Sequence, residues 1–339
     1  MVVLGIETSC DETSAAVLID GEAKSNIISS QLVHSRFGGV VPELASRAHQ
    51  RMIIEIVDQS LSEAHIRKQD LDGIAATQGP GLVGALLVGL SFGKATSYGL
   101  GVPFVGVNHM EGHLYSSFLE QEKPSYPFLS LIVSGGHTML VSVDAPLEHS
   151  VLGQTRDDAS GEAFDKVAKM LGLGYPGGPV IDKLAESGDP EAISFPRSYL
   201  EGYAYDFSFS GIKTSVLYYL RHEGLFNGGT SSRRIGPQQL ADICASFQAS
   251  VVDVLVAKTM VAAEELRHTT ITLAGGVSAN SVLRKRMQQE ADRRGCRLFY
   301  PSPQYCMDNG AMIAYVGWMK LQRGITSSLE IPAVANLEL

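Results

Sequence analysis

Two histidines stand four residues apart in His109-Met110-Glu111-Gly112-His113, one residue beyond the apolar run of residues 102–107. A run of that length reads as a buried strand, and the Leu114-Tyr115-x-x-Phe118-Leu119 continuation reads as a helix. Histidines at i and i+4 share one helical face about 6 Å apart along the axis, at ~1.5 Å per residue. Both imidazoles can then reach a single metal ion. The pattern is not the zinc-protease motif, where the general-base glutamate directly follows the first histidine. Glu111 is two residues after His109, roughly 200° round the helix, and so points elsewhere. The competing reading is a pair of satisfied histidines at a helix start.

The elements that must hold these residues follow from patterning. In the first half, strands are expected at residues 2–7, 14–19 and 25–30, then at 71–76 and 102–107. Helices are expected from Pro42 through Leu61 and over 82–98, and the histidine helix closes this half. The second half repeats the plan. Its strands are 128–133, 139–143, 271–273 and 297–300, and its helices are 162–171, 238–266, 282–293 and a last one over 312–321 that begins near Asp308. Strands alternating with helices imply largely parallel sheets, and repetition of the order implies a duplication.

The expected fold is therefore α/β with two lobes and a ligand cleft between them at the strand carboxyl ends. Residues 1–125 form the first lobe, with about 308–339 packing back on it, and 126–307 form the second. Related by the duplication, His109 and Asp308 face each other across the cleft, which makes Asp308 a third candidate ligand. N-capping of the last helix is its alternative role.

Turns of small and polar residues occupy matching places in the halves. Residues 8–13 and 134–138 each join the first two strands, and the hydroxyls of Thr8, Ser9 and Ser134 add donors for a phosphate. Ala274-Gly275-Gly276-Val277-Ser278-Ala279-Asn280 suits an adenosine-side loop, with Asn280 reading a base or ribose edge or capping the next helix. Asp165 and Asp182 flank the loop Tyr175-Pro176-Gly177-Gly178-Pro179 and can hold ribose hydroxyls, the competing reading being surface-exposed helix carboxylates. Residues 207–214 alternate like a strand or tight turn, with Lys213 the nearby cation able to reach a phosphate. No Gly-x-x-x-x-Gly-Lys-Ser/Thr sequence is present, which counts against a P-loop ATPase.

Composition sets outer bounds. The 339 residues are 45% hydrophobic and 19% charged, ordinary for a globular enzyme. Four scattered cysteines, Cys10, Cys244, Cys296 and Cys306, make no Cys-x-x-Cys pair, which fits a reducing compartment. No signal peptide or transmembrane segment is evident, so a cytoplasmic protein without membrane association is expected. A net charge of −9 does not advertise nucleic-acid binding, although basic residues gather at Arg36, Arg47 and Arg51, at Arg233-Arg234, and from Arg284 to Arg297.

Taken together, Gly5-Ile6-Glu7-Thr8-Ser9-Cys10-Asp11-Glu12-Thr13, Gly79-Pro80-Gly81, the histidine pair, Val133-Ser134-Gly135-Gly136-His137-Thr138, Gly161-Glu162-Ala163-Phe164-Asp165, the Tyr175 loop, Asp206-Phe207-Ser208-Phe209-Ser210-Gly211, residues 274–280 and Asp308-Asn309-Gly310 resemble one family. It is the tRNA N6-adenosine threonylcarbamoyltransferase family, formerly called O-sialoglycoprotein endopeptidase or glycoprotease, and the likeness is to its bacterial-type catalytic subunit. The resemblance runs from about residue 2 to 323 and leaves 222–236 and the tail after Gly324 unmatched. It implies an actin-like, sugar-kinase-type fold and one Fe(2+), with zinc able to substitute in vitro, at His109, His113 and Asp308. It also implies an adenine nucleotide or adenylate at Ile132, Val133, Ser134, Gly135, Gly136, Asp165, Gly178, Asp182 and Asn280. The implied reaction moves the threonylcarbamoyl group from threonylcarbamoyl-adenylate to the adenosine next to the anticodon of tRNAs reading codons that start with A. The implied partners are a paralogous subunit and a small ATPase. Asp11 and Glu12 are open to a proton-transfer, donor-positioning or turn-capping role, and no general base is assigned. The alternatives are a metalloprotease acting on glycoproteins, and a nucleotide-binding or ATPase regulatory subunit of the same fold.

Overall fold

The computed structural model describes residues 1–31, 34, 37–199, 202, 204–225 and 235–339. Arg36 and Arg233-Arg234 lie outside them. The chain forms two compact units, Met1–Lys123 with Pro301–Leu339, and Pro124–Tyr300.

The first unit carries strands β1 (Val2–Glu7), β2 (Glu12–Ile19), β3 (Glu22–Ser30), β4 (Gly73–Gly79) and β5 (Phe104–Asn108). Its helices are α1 (Pro42–Glu63), α2 (Val83–Leu100) and α3 (His109–Tyr115). The five strands form one sheet in the order β3-β2-β1-β4-β5, antiparallel within the β1–β3 meander and parallel from β1 to β5. β1 is apolar almost throughout because both of its faces are covered. Ile6 points toward Gly89 of α2, whereas the neighbouring Gly5 points the other way, toward a helix near the C-terminus. A Cβ on Gly5 would lie 2.3 Å from the Gly310 carbonyl oxygen, so only glycine allows that helix to seat.

The second unit repeats the topology. Its strands are β6 (Phe128–Val133), β7 (Thr138–Ala145), β8 (Glu148–Gln154), β9 (Thr270–Ala274) and β10 (Arg297–Phe299). They order as β10-β9-β6-β7-β8, with β6–β8 antiparallel and β6, β9 and β10 parallel. Its helices are α4 (Ser160–Leu171), α5 (Gly177–Ala185), α6 (Ser210–His222), α7 (Pro237–Glu265) and α8 (Ser281–Arg294). Two short elements then complete the first unit, α9 (Pro303–Cys306) and α10 (Gly310–Gln322).

The edge strand β8 and the start of α6 differ from the sequence expectation. β8 is a largely exposed edge strand, so Glu148-His149-Ser150 carries no buried alternation to betray it. Residues 210–214 open helix α6 instead of continuing the strand or tight turn expected over 207–214. The helix starts there because the Asp157 carboxylate accepts from the backbone N–H groups of Phe209 and Ser210 and from the hydroxyls of Ser208 and Ser210. That cap comes from 53 residues away in the chain. Phe207 and Phe209 are core residues, as expected. Helix α7 falls where a helix over 238–266 is expected; it is long and apolar enough to cross a membrane by length and composition, and 78% of its most apolar window is buried inside the protein.

Candidate metal centre and nucleotide loops

α3 begins where β5 ends. Asn108 caps it by accepting the Met110 N–H at 2.8 Å, and every residue of this short helix is buried. His109 Nε2 lies 3.3 Å from Asp308 Oδ1, and His113 Nε2 lies 3.0 Å from the same oxygen. The imidazoles meet edge to face with centroids 4.8 Å apart. One ligand atom from each of the three residues falls within 4.8 Å of the others, a cluster that could hold a metal ion.

All three residues belong to the first unit, so the cluster assembles within one compact unit instead of across the two halves. Asp308 is not the cap of α10. Asn309 takes that role, accepting the Met312 N–H at 3.0 Å, which leaves the Asp308 carboxylate for the histidines. Glu111 points away from them, as its helical phase requires, and pairs with Lys320 of α10 at 2.6 Å.

Sequence reasoning missed Glu7, which is fully buried at the end of β1. One carboxylate oxygen faces His109 Nδ1 at 3.0 Å and accepts from the Thr77 hydroxyl at 2.6 Å, and the other accepts from the Ser9 N–H. The available signal was an acid at the end of an otherwise apolar buried strand, since such acids are almost never fully buried unless paired.

Burial alone would lower the His109 pKa, but the Asp308 and Glu7 carboxylates outweigh it and hold it well above the ordinary histidine value. Burial opposes ionisation of Asp308, yet His109 and His113 hold that carboxyl below the usual range. Glu7 is likewise held low by His109 against the effect of burial. A carboxylate only accepts, so Glu7 fixes the Nδ1 proton and aims the Nε2 lone pair of a neutral His109 at Asp308. An extra proton or a cation must sit between those two acceptors. Among the described residues His113 has no matching second carboxylate, and its Nδ1 is buried without a partner there. Two imidazole nitrogens and a carboxylate oxygen, with a further carboxylate behind one histidine, suit a divalent transition metal.

The Thr8 and Ser9 hydroxyls are engaged within the first unit. Thr8 donates to the Ala85 carbonyl and accepts from Gly89 N–H, fastening α2, while Ser9 Oγ lies 3.2 Å from His109 Nδ1. Glu12 is 8% exposed, and burial, with Asp308 and Asp11 nearby, raises its carboxyl to about 9.

The candidate nucleotide residues lie in the second unit. Ile132 and Val133 are completely buried in β6, so only their backbone could face a ligand. Ser134 closes the turn by accepting the His137 N–H, while Gly135 and Gly136 are exposed with open space where a side chain would stand. Gly161 seats the start of α4 against Ser134 and Gly135. Farther along α4, Asp165 accepts the Gly177 N–H at 2.7 Å, and Gly178 lies in the first turn of α5. Asp182 accepts from the backbone and hydroxyl of Ser281, and Asn280 both caps α8 and donates to Gln248. These contacts link the predicted set through one continuous group of elements. Lys213, in contrast, is paired with Asp158 at 2.8 Å. Much of the basic cluster on α8 is paired too: Arg286 with Asp253, Arg293 with Glu290, and Arg294 with Glu264.

A family model described as tRNA N6-adenosine threonylcarbamoyltransferase matches residues 22–315. The chain belongs to this family. Relatives bearing that name include proteins of Salinibacter ruber, 54% identical over 100% of both chains, and of Chloroherpeton thalassium, 52% identical over 100% of this chain and 98% of the relative. Among solved structures, full-length HypF aligns with a TM-score of 0.63 at 14% identity, covering 96% of this chain and 47% of that one. Component A of the Acidaminococcus fermentans (R)-2-hydroxyglutaryl-CoA dehydratase aligns at 0.52 and 18% identity, covering 95% of this chain and 99% of that one. These likenesses bear on fold alone and agree with the actin-like, sugar-kinase-type architecture of the duplicated sheets.

Proposed function

We propose that this member of the family transfers threonylcarbamoyl from its adenylate to N6 of the adenosine beside the anticodon in tRNAs reading codons that start with A, in the cytoplasm. Near-complete family coverage supports the reaction class. The observation that carries the site is the convergence of His109, His113 and Asp308, with Glu7 behind His109. That donor set favours Fe(2+), because two histidines and one carboxylate leave coordination positions open. When bound, the cation supplies Lewis-acid stabilisation of negative charge developing on the donor.

The adenylate is assigned to the second unit. Gly135 and Gly136 are open to close approach by its phosphate. Asp165, Gly178, Asp182 and Asn280 supply the nucleoside side, with the backbone of Ile132 and Val133 and the Ser134 turn beneath. The tRNA N6 amine forms a bond to the carbamoyl carbon, the bond from that carbon to the phosphate oxygen breaks, N6 loses a proton, and AMP departs. Glu111 is held by Lys320, which leaves the metalloprotease reading without a general base in this motif.

A paralogous subunit and a small ATPase are the proposed protein partners. The exposed face of α2 supports a docking role, since it presents Val83, Leu87 and an 80%-exposed Tyr98 with no charged residue among them.

The test is single-turnover transfer using metal-loaded protein, unmodified tRNA and threonylcarbamoyl-adenylate, with and without these partners. Modified adenosine should form, disappear on chelation and return with Fe(2+). His109→Ala should stay folded but lose both metal and product. Wild-type turnover by His109→Ala would refute the assignment.

A further inference from the structure

The C-terminal tail after α10 lies beyond the family match, which ends at residue 315. It crosses the first unit along β5, the edge strand of its sheet. Ser327 donates its N–H to the Phe104 carbonyl at 2.8 Å and accepts the Gly106 N–H on its hydroxyl at 3.0 Å. Lys94 of α2 donates to the Ile331 carbonyl, and the Gln78 side chain donates to that of Pro332. Val334 donates to the Gln78 carbonyl, and Ala335 accepts the Gly81 N–H. Ile331 and Ala333 pack against the apolar core of the unit.

Two of these contacts end beside the metal ligands. The Glu338 carbonyl accepts from Asn108 Nδ2 at 2.8 Å, while the Oδ1 of the same amide caps α3. The Gly79–Gly81 turn is gripped between the tail and Ser9. A Cβ on Gly79 would strike the Val334 carbonyl and one on Gly81 would lie 2.6 Å from the Ser9 carbonyl. Ser9 in turn faces His109 Nδ1. The tail thus constrains the His109 backbone through the cap and the His109 ring through Ser9. An isolated seven-residue helix is far too short to hold its own geometry.

We infer that residues 326–339 form a strap that positions α3, setting the separation of His109 and His113 for the metal. The inference rests on the metal assignment above. It names Asn108, Ser327 and the Val334–Ala335 backbone as positioning groups without contact to the reacting atoms.

The experiment compares wild-type protein, a chain ending at residue 325, Asn108→Ser, and the combination. Serine can still cap α3, but its side chain is too short to reach Glu338. Zn(2+) and Co(2+) affinities are measured by chelator competition well below each melting temperature, and hydrogen exchange of α3 amides is followed without metal. Both single variants should bind metal about 10- to 100-fold more weakly, as for lost outer-shell support. Their α3 amides should exchange faster while those of β2 and β3 do not, and the combination should be no worse than truncation alone. Unchanged affinity in the truncated chain would overturn the strap, and if that chain does not fold, unchanged affinity in Asn108→Ser would overturn it instead. Wild-type protein that binds neither ion would refute the metal assignment and this inference together.

Discussion

Glu7→Gln tests the electrostatic account of the metal centre. The wild-type carboxylate receives the Ser9 N–H on one oxygen, and His109 Nδ1 and the Thr77 hydroxyl on the other. Glutamine keeps the shape but turns one of those oxygens into a donor. Facing Ser9, its amide meets an N–H that cannot turn away. Facing His109, it favours the tautomer that places a proton on Nε2, where the metal should bind. Either orientation compromises a buried donor, at about 1–3 kcal/mol of stability in the metal-free protein. Loss of the charge behind His109 also makes its Nε2 a poorer ligand, and outer-shell changes of this kind weaken metal binding roughly 10- to 100-fold, or about 1.4 to 2.7 kcal/mol. The assay is chelator competition with Co(2+), followed by single-turnover transfer at saturating metal. Affinity should fall by that range, while turnover of the loaded enzyme falls less. A Glu7→Gln protein that binds Co(2+) within twofold of wild type would show that the carboxylate does not tune the site.

Glu111→Gln separates the transferase from the protease reading, because breaking the part-buried pair with Lys320 should cost about 3 kcal/mol of stability. Transfer measured well below the melting temperature should persist, and its complete loss in folded, metal-loaded protein would contradict the structural role given to Glu111. Glu12 gives a pH dependence to metal-stripped protein. Its carboxyl is raised to about 9 by burial, with Asp308 and Asp11 adding to the shift, against ~4.3 when unfolded. The folded state therefore holds the extra proton between those values, so the stability is present below the unfolded value and lost as pH rises toward 9. The loss is up to about 1.4 kcal/mol per pH unit. Thermal melts of Glu12→Gln should show a shallower decline from about pH 5 to 9, and identical slopes would count against a buried, protonated Glu12.

Local signals in the chain carried much of the architecture. The i, i+4 spacing of His109 and His113 needs only a helix to bring the imidazoles together, and helical phase alone turned Glu111 away. The repeated strand–helix order anticipated the two matching sheets, because hydrophobic period is a property of neighbouring residues. Asp308 was reachable as a candidate because the duplication placed it after the last strand of the second half. Which of the adjacent Asp308 and Asn309 would cap α10 was not legible, since both side chains suit that position.

Where the deciding partner was distant, only tertiary structure could choose. The start of α6 depends on Asp157, the role of Glu7 on a histidine 102 residues later, and the anchoring of Asn108 on a carbonyl 230 residues later. Thr8 and Lys213 had the right chemistry for a phosphate, yet folding engaged them with α2 and Asp158. A side chain's type and local phase set which bonds it can make. Burial then requires its polar atoms to be satisfied by whatever packs beside them, and that neighbour is chosen by the fold.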